Sequence, residues 1–256
     1  MSIRLYQSVR DGIWGPKKKS GLRFWFDLQN AASITYDGSN RISQIQDLSG
    51  RNLNATQFTN INKPIYTTSL LNGYPGAVFT SSNQQCMDFT TTSTIEPGLP
   101  ASVVVVCENT AGTGTWYQAV IGLASSVTNR NFILFFNNDA SYSDLTFNFV
   151  STTPGSNGCR VTTSFSSAAT AVINYNGGTS SSTGSWAFYK NNASATVNTS
   201  GGGAGNGVIN RLGAQGNTTP GNWFNGKFFE AFGYDSQLTA DELNLVDDYV
   251  ANKWGI

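Results

Sequence analysis

The chain predicts an all-β protein, a two-sheet antiparallel jelly-roll sandwich with one C-terminal α-helix, and three observations lead there. Short runs rich in β-branched and aromatic residues recur along it, each bounded by Gly, Ser, Thr, Asn or Pro. Its 256 residues hold 27 glycines, and charged and aromatic residues make up 12% each, the balance of short strands joined by polar turns rather than of helices. Helical spacing of apolar residues occurs once, at the C-terminus. One sandwich of this length is ordinary.

Beyond residue 100 the strand-like runs are Ala101 to Cys107, Trp116 to Leu123, Phe132 to Phe136, Leu145 to Val150, Arg160 to Phe165, Ala171 to Tyr175, Trp186 to Lys190, Val208 to Leu212 and Lys227 to Tyr234. Strand alternation places Phe228, Glu230, Phe232 and Tyr234 of the last run on one face, and Phe229, Ala231 and Gly233 on the other. A carboxylate that shares a face with three aromatics must be hydrogen-bonded or paired if that face is inward. The bland reading of Glu230 is a structural acid held by backbone donors of a neighbouring loop; the sharper one is catalytic. The terminal helix should occupy 239–254. Thr239 with Glu242 forms a capping box, Leu238 and Leu243 a hydrophobic staple, and Leu243, Val246, Val250 and Trp254 one apolar stripe.

The segment from Gly221 to Ile256 resembles the closing element of the laminin-G-like domains of the concanavalin A-like lectin and glucanase group, especially the variety common in bacteriophage virion proteins. Earlier stretches match in order. Phe26-Asp27-Leu28-Gln29-Asn30-Ala31, then Ile45-Gln46-Asp47-Leu48-Ser49-Gly50, resemble the opening strand and a Trp-x-Asp-x-Ser-Gly turn with Ile45 in place of Trp. Lys63-Pro64-Ile65-Tyr66 and Leu71-Asn72-Gly73-Tyr74-Pro75 through Val78-Phe79 also fit, Gly76 reading as an insertion before the strand. Phe188-Tyr189-Lys190-Asn191-Asn192-Ala193 resembles a hairpin that usually carries Asn-Gly; Asn192 replaces Gly, and Asn tolerates the positive φ such a turn needs. The resemblance spans 21–256, so the expected organisation is a docking arm over 1–20 and one sandwich over 21–256.

The arm mixes Ile3, Leu5, Tyr6, Val9, Ile13 and Trp14 with Arg4, Arg10 and the run Lys17, Lys18, Lys19, while Gly12, Gly15 and Pro16 interrupt any regular element. It reads either as a solvated tail or as a contact segment. The large apolar groups favour contact, with Tyr6 and Trp14 as anchors buried in another protein or a neighbouring copy and the lysines at the rim.

Formal net charge is zero and histidine is absent. A balanced chain lacks the cationic field that holds a phosphate backbone, so nucleic acid is not expected as a partner. Without His, the commonest general base and transition-metal ligand is missing. Cys86, Cys107 and Cys159 form no Cys-x-x-Cys pair and read as reduced, packed thiols. The N-terminus lacks the apolar core of a secretory signal, and no segment is long enough to span a bilayer. Calcium enters only through the resemblance; with no dense oxygen cluster in the sequence the metal is left unassigned, and no other cofactor is expected.

Glycoside hydrolysis needs two carboxylates flanking a bond, and the glucanase branch of the resembling group carries them as Glu-x-Asp-x-x-Glu on one strand. That string is absent; Glu occurs only at positions 96, 108, 230 and 242. Asp139 and Asp144 lie close in sequence but read as a polar turn. Sugar binding requires an aromatic platform beside amides or carboxylates. The candidates are Trp116 and Tyr117 after Ala111-Gly112-Thr113-Gly114, Tyr142 beside Asn137, Asn138 and Asp139, and Trp223 after Gly221-Asn222, each of which also reads as a lid on the core. The expectation is therefore a non-enzymatic bacteriophage virion protein: a lectin-like head decoration, tail fibre or attachment module, made in the host cytoplasm, displayed as a homo-oligomer on the particle, and binding host glycans weakly and multivalently. The alternative is a carbohydrate-active enzyme, hydrolase or lyase, of the same fold.

Overall fold

The computed structural model describes residues 14–90, 100–110, 118–123, 134–137, 146–150, 158–162, 165–176, 186–195, 197–199, 209–214 and 221–256. Within them the chain forms β1 (Leu22–Asp27), β2 (Ile34–Tyr36), β3 (Ile42–Ile45), β4 (Ala55–Thr56), β5 (Ile65–Leu71), β6 (Tyr74–Phe79), β7 (Met87–Phe89), β8 (Pro100–Asn109) and β9 (Gln118–Leu123). Then follow β10 (Leu134–Asn137), β11 (Thr146–Val150), β12 (Gly158–Thr162), β13 (Ala169–Asn176), β14 (Trp186–Lys190), β15 (Ala193–Ala195), β16 (Val197–Thr199), β17 (Ile209–Leu212), β18 (Gly226–Tyr234) and the helix α1 (Ala240–Trp254). Among the described residues no helix is long and apolar enough to cross a membrane.

The strands make two antiparallel sheets. Sheet I runs β15-β14-β13-β8-β18-β6-β5, and sheet II runs β16-β12-β11-β10-β9-β17-β7-β4-β3-β2. β18 is flanked by β8 along one edge; its first residues pair with β6 and its later ones with β1 along the other. Between the sheets lies one apolar cluster that includes Phe24 and Phe26 of β1, Ile42 and Ile45 of β3, Val103 and Val105 of β8, and Ile121 of β9. A second cluster covers the outer face of sheet I, where Val104 and Val106 meet Leu243, Val246, Val250 and Trp254. The unbroken apolar run in β8 follows from this: successive residues point alternately into the sandwich and under the helix, so both faces are buried.

The helix forms as its capping signals require. Thr239 accepts from the Glu242 backbone N–H, the Glu242 side chain accepts from the Thr239 N–H, and Gly255 closes the C-terminus in the left-handed region. The segment leading into the helix is fixed by a buried polar group: Ser102 donates to Asn174 Oδ1 and to the Ser236 carbonyl, while Asn174 Nδ2 donates to the Leu238 carbonyl. Asp47, in the turn matched by sequence, accepts from the backbone N–H groups of Trp25, Ser49 and Leu53. Its buried carboxylate thereby pins β1 to the following turn. Asn191 and Asn192 both take positive φ at the tip between β14 and β15, as the hairpin reading requires. Cys86 and Cys107 are free and buried, and burial pushes the Cys86 thiol up to about 11; the Cys159 side chain lies outside the described residues.

Three expectations change. The register of β18 against β8 shifts between Phe228 and Glu230. This bulge sets Phe229 beside Phe232 and Tyr234 on the helix side and leaves Phe228 with Ala231 in the inter-sheet core. Simple alternation therefore fails one residue before Glu230. Gly76 lies inside β6, not before it; a Cβ there would stand 2.8 Å from the Phe229 ring, so the glycine makes room for the bulged aromatic. Finally, the described part of the proposed arm packs on its own sandwich. Trp14 meets Tyr249 edge-on at 5.6 Å, Lys19 pairs with Glu242 at 2.8 Å, and the Pro16 carbonyl accepts from the Tyr234 hydroxyl. Of the apolar groups that suggested an external partner, Trp14 packs against the chain's own helix-side cluster. Lys17 and Lys18 are exposed, Lys17 lying 5.9 Å from the Trp25 ring centre. Tyr6 lies outside the described residues.

Candidate functional site

Two places concentrate chemistry-bearing side chains. The first is a closed clasp between β18, β1 and α1. Glu230 is 0% exposed. Its Oε1 accepts from Trp25 Nε1 at 2.7 Å, the Tyr249 hydroxyl at 2.6 Å and Lys253 Nζ at 2.8 Å, and its Oε2 accepts from Trp254 Nε1 at 2.7 Å. Lys253 bridges to Asp27, the cross-strand partner of Glu230, at 2.8 Å, and lies over the rings of Trp25, Tyr249 and Trp254. Burial pushes the Glu230 carboxyl above the ordinary range, and the adjacent Lys253 ammonium pulls it back. Burial likewise raises the Tyr249 phenol. The donors are side chains of the helix and of β1, where the sequence suggested loop backbone. Both oxygens are occupied and no solvent reaches them, so the carboxylate is not placed to protonate or attack a bond in a ligand. The bulge at Phe229 is what aims Glu230 at the helix.

The second place is one end of sheet II. Register puts the first residue of β9 opposite the end of β10, with Gln118 facing Phe136 and Asn137 next in line. Leu212 faces both Ile121 and Met87, so the C-terminal end of β17 and the start of β7 lie at this same end. Thr56 faces Asp88, Gln44 faces Thr56, and Tyr36 faces Ile42, which brings the ends of β4 and β2 and the start of β3 alongside. Trp223 joins this row through a parallel bridge to Ala119, and the Ala119 N–H donates to the Asn222 carbonyl at 2.8 Å.

Hydrogen bonds lace the row together. Asn225 donates its N–H to Gln118 Oε1, accepts at Oδ1 from the Ser81 N–H, and donates from Nδ2 to Thr110. Asn62 Nδ2 donates to the carbonyls of Asn83 and Gln84, and Gln57 Nε2 donates to the Cys86 carbonyl at 2.8 Å. Arg211 of β17 is paired with Asp88 of β7. Trp223 is half-buried, and its indole Nε1 is enclosed without a hydrogen-bond partner among the described residues.

Of the sugar-site candidates, Trp223 and the backbone of Asn137 lie at this end of sheet II. Asn137 ends β10. Trp116, Tyr117, Asn138, Asp139 and Tyr142 themselves, and the Asn137 side chain, lie outside the described residues. The same row holds three residues the sequence reading passed over: Phe58 is 85% exposed, Ile61 66% and Tyr36 44%. Their signal was present, since Phe58 and Ile61 interrupt an otherwise polar turn, Thr56-Gln57-Phe58-Thr59-Asn60-Ile61-Asn62. Among the described residues no group of three or more His, Cys, Asp or Glu could hold a metal ion.

No protein-family profile matches the chain, and no curated protein matches it in sequence. Solved structures do match in fold. The binding domain of Paraclostridial Mosquitocidal Protein 1 superposes with a TM-score of 0.59 at 13% identity, over 91% of this chain and 53% of that one. Domain 4 of AbnA, a GH43 extracellular arabinanase from Geobacillus stearothermophilus, seen in complex with arabinotriose, superposes with a TM-score of 0.53 at 13% identity, over 88% of this chain and 98% of the domain. Trypanosoma rangeli sialidase in complex with sialic acid gives a TM-score of 0.52 at 11% identity, over 92% of this chain and 34% of the sialidase. The chain thus spans about a third of the sialidase's length. At these identities the likeness is one of fold, a β-sandwich consistent with the concanavalin A-like group. It corrects the expectation of a bacteriophage head or tail protein: these three neighbours are a binding domain, a domain of an arabinanase and a sialidase, none of them a phage particle protein.

Proposed function

We propose that this chain is a carbohydrate-recognition sandwich serving a carbohydrate-active protein, with its sugar-binding surface at the Trp223 end of sheet II. The observation that carries this reading is the half-buried Trp223 at this strand end, its indole Nε1 enclosed without a hydrogen-bond partner among the described residues, beside the Asn225 amide and in one row with the exposed Tyr36, Phe58 and Ile61. Aromatic rings offer the flat apolar contact that a sugar face needs, and amides supply donors and acceptors in fixed directions. The balanced charge suits a polar, uncharged ligand. Likeness to an arabinanase domain seen with arabinotriose supports the reading, because it extends over nearly the whole of that domain. Calorimetric titration of the full chain with arabinotriose and with sialyllactose tests it. Binding of either that drops at least tenfold in Trp223→Ala, with the fold retained, is the expected result; no binding of either sugar by the unaltered chain would overturn it.

A second reading, that the sandwich itself cleaves carbohydrate, draws support from the enzymes among its fold neighbours. It requires a carboxylate pair other than Asp27 and Glu230, whose oxygens hold Lys253 within the clasp. Reducing-end release from arabinan or xylan that survives in Glu230→Gln would establish it.

A further inference from the structure

The exposed apolar residues at the far end of the same strand row point to a longer ligand. Phe58 and Ile61 are not loosely held side chains on a slack loop. The Gln57 N–H donates to the Ser43 carbonyl at 3.0 Å, the Thr59 N–H to Gln57 Oε1 at 3.0 Å, the Asn62 N–H to the Thr59 carbonyl at 3.0 Å, and Lys63 Nζ to Asn60 Oδ1 at 2.7 Å. Asn62 and Gln57 tie the loop to the stretch before β7. A turn so well bonded that still presents Phe58 and Ile61 to water has nothing in the described chain to cover them, and exposed large apolar groups of this kind mark a contact. Two strands away, Tyr36 rests on Tyr66 with ring centres 4.9 Å apart and planes 23° from parallel, which fixes its ring while nearly half of the residue stays open.

These residues and Trp223 stand at the same end of one sheet. From β2 to β9 the order β2-β3-β4-β7-β17-β9 makes five strand steps, so at about 4.8 Å per step the row extends roughly 24 Å. Between its two apolar parts lie the part-exposed amides of Gln57, Asn62 and Asn225, held in place by bonds to the 81–86 stretch, with Gln118 buried behind Asn225. We infer that Tyr36, Phe58 and Ile61 form a second, distal subsite for the same ligand, which is therefore an extended carbohydrate chain of several sugars lying across the strand ends rather than a single terminal sugar. The inference rests on the carbohydrate reading above. A sugar chain presents apolar ring faces at intervals with hydroxyls between them, and the row alternates in the same manner: apolar platform, amides, apolar platform. A protein partner would bury the patch without requiring continuity with Trp223.

The test is a length series, arabinobiose to arabinohexaose and xylobiose to xylohexaose, titrated into the full chain, into Phe58→Ser/Ile61→Ser and into Trp223→Ala, with sedimentation velocity on each. The two replaced residues are exposed, so the double variant keeps its core. Affinity of the unaltered chain should rise at least tenfold from the disaccharide to the hexasaccharide of the preferred series. The double variant should abolish that rise and leave disaccharide affinity unchanged, while Trp223→Ala weakens both. A length dependence untouched by the double variant, or an affinity already at its maximum for the disaccharide, would overturn the distal subsite and leave the carbohydrate reading standing. Loss of self-association in the double variant with unchanged sugar binding would assign the patch to a second copy of the chain instead. Failure of every sugar to bind the unaltered protein would bring down both.

Discussion

On the helix side of sheet I, four donors converge on the two oxygens of a carboxylate that no solvent reaches. At the end of sheet II, Phe58 stands 85% exposed, and Trp223 keeps an indole N–H without a partner among the described residues. The first region contains the residues that look most like an active site on paper: an acid, a lysine, a tyrosine and two tryptophans. Each of those groups is satisfied by another, which is the behaviour of a structural clasp, since a buried charge persists only when paired and hydrogen-bonded. The second region has only a modest arrangement of amides and aromatics, yet it leaves apolar surface facing outward on a stiff frame. Perturbing the clasp should therefore change stability, and perturbing the row should change binding.

The largest expected effect is at Lys253. Lys253→Met removes the ammonium shared by Asp27 and Glu230 and leaves two enclosed carboxylates without their counter-charge, at a cost of about 3–5 kcal/mol. Chemical denaturation would show it as a fall in midpoint, and an unchanged midpoint would mean that the clasp does not hold the helix. Gly76→Ala comes next. The added methyl meets the Phe229 ring at 2.8 Å, and overpacking of this kind costs about 1–3 kcal/mol. The double variant Gly76→Ala/Phe229→Leu should recover part of the loss, because the two positions share one space.

How much of this was legible in the chain differs between the two regions. The helix with its cap, the strands β8 to β14, β17 and β18 and the Asn191-Asn192 turn were readable, because they depend on local signals: capping residues, periodicity and tolerance of positive φ; the three-residue strands β15 and β16 are too short to show a period. The faces of β18 were not, since a bulge is set by the partner strand, and the register between Cys107 and Val106 cannot be seen from Phe228-Phe229-Glu230 alone. Glu230 was readable as a buried acid needing partners, but the partners come from β1 and from the helix, far apart in sequence. Trp14 and Lys19 looked like material for a partner protein because nothing local says that Tyr249 and Glu242 will cover them. In the row, Trp223 and the loop aromatics were singled out one at a time. That Trp223 shares one sheet end with Tyr36, Phe58 and Ile61 follows only from strand order.

Smaller effects sharpen the contrast. Burial alone would raise the Glu242 carboxyl, but hydrogen bonds from Lys19 and from the Thr239 backbone outweigh it and hold the group below its ordinary value of 4.5. A depressed folded-state value contributes stability above the unfolded value and loses it as pH falls through the folded one. Thermal melts between pH 6 and about pH 2 should therefore show an acid-side loss that shrinks in Glu242→Gln. Lys19→Ala, breaking a partly exposed pair, should cost only about 0.2–1 kcal/mol; a much larger loss would show that the segment around Trp14 closes over the helix more tightly than its contacts indicate. Phe58→Ser should fall within about 0.5 kcal/mol of the unaltered protein, and a large destabilisation there would remove the basis for treating the row as a binding surface.

Tryptophan indole resonances separate the two regions directly. In the full chain labelled with nitrogen-15, the indole N–H groups of Trp25 and Trp254 report the clasp and that of Trp223 reports the row. Titration with arabinotriose, or with whichever arabino- or xylo-oligosaccharide binds most tightly, should shift the Trp223 indole and the backbone amides of Gln118, Ala119 and Asn225 while the Trp25 and Trp254 indoles stay in place. Movement of the clasp indoles with Trp223 unaffected would contradict the assignment and return the site to Glu230.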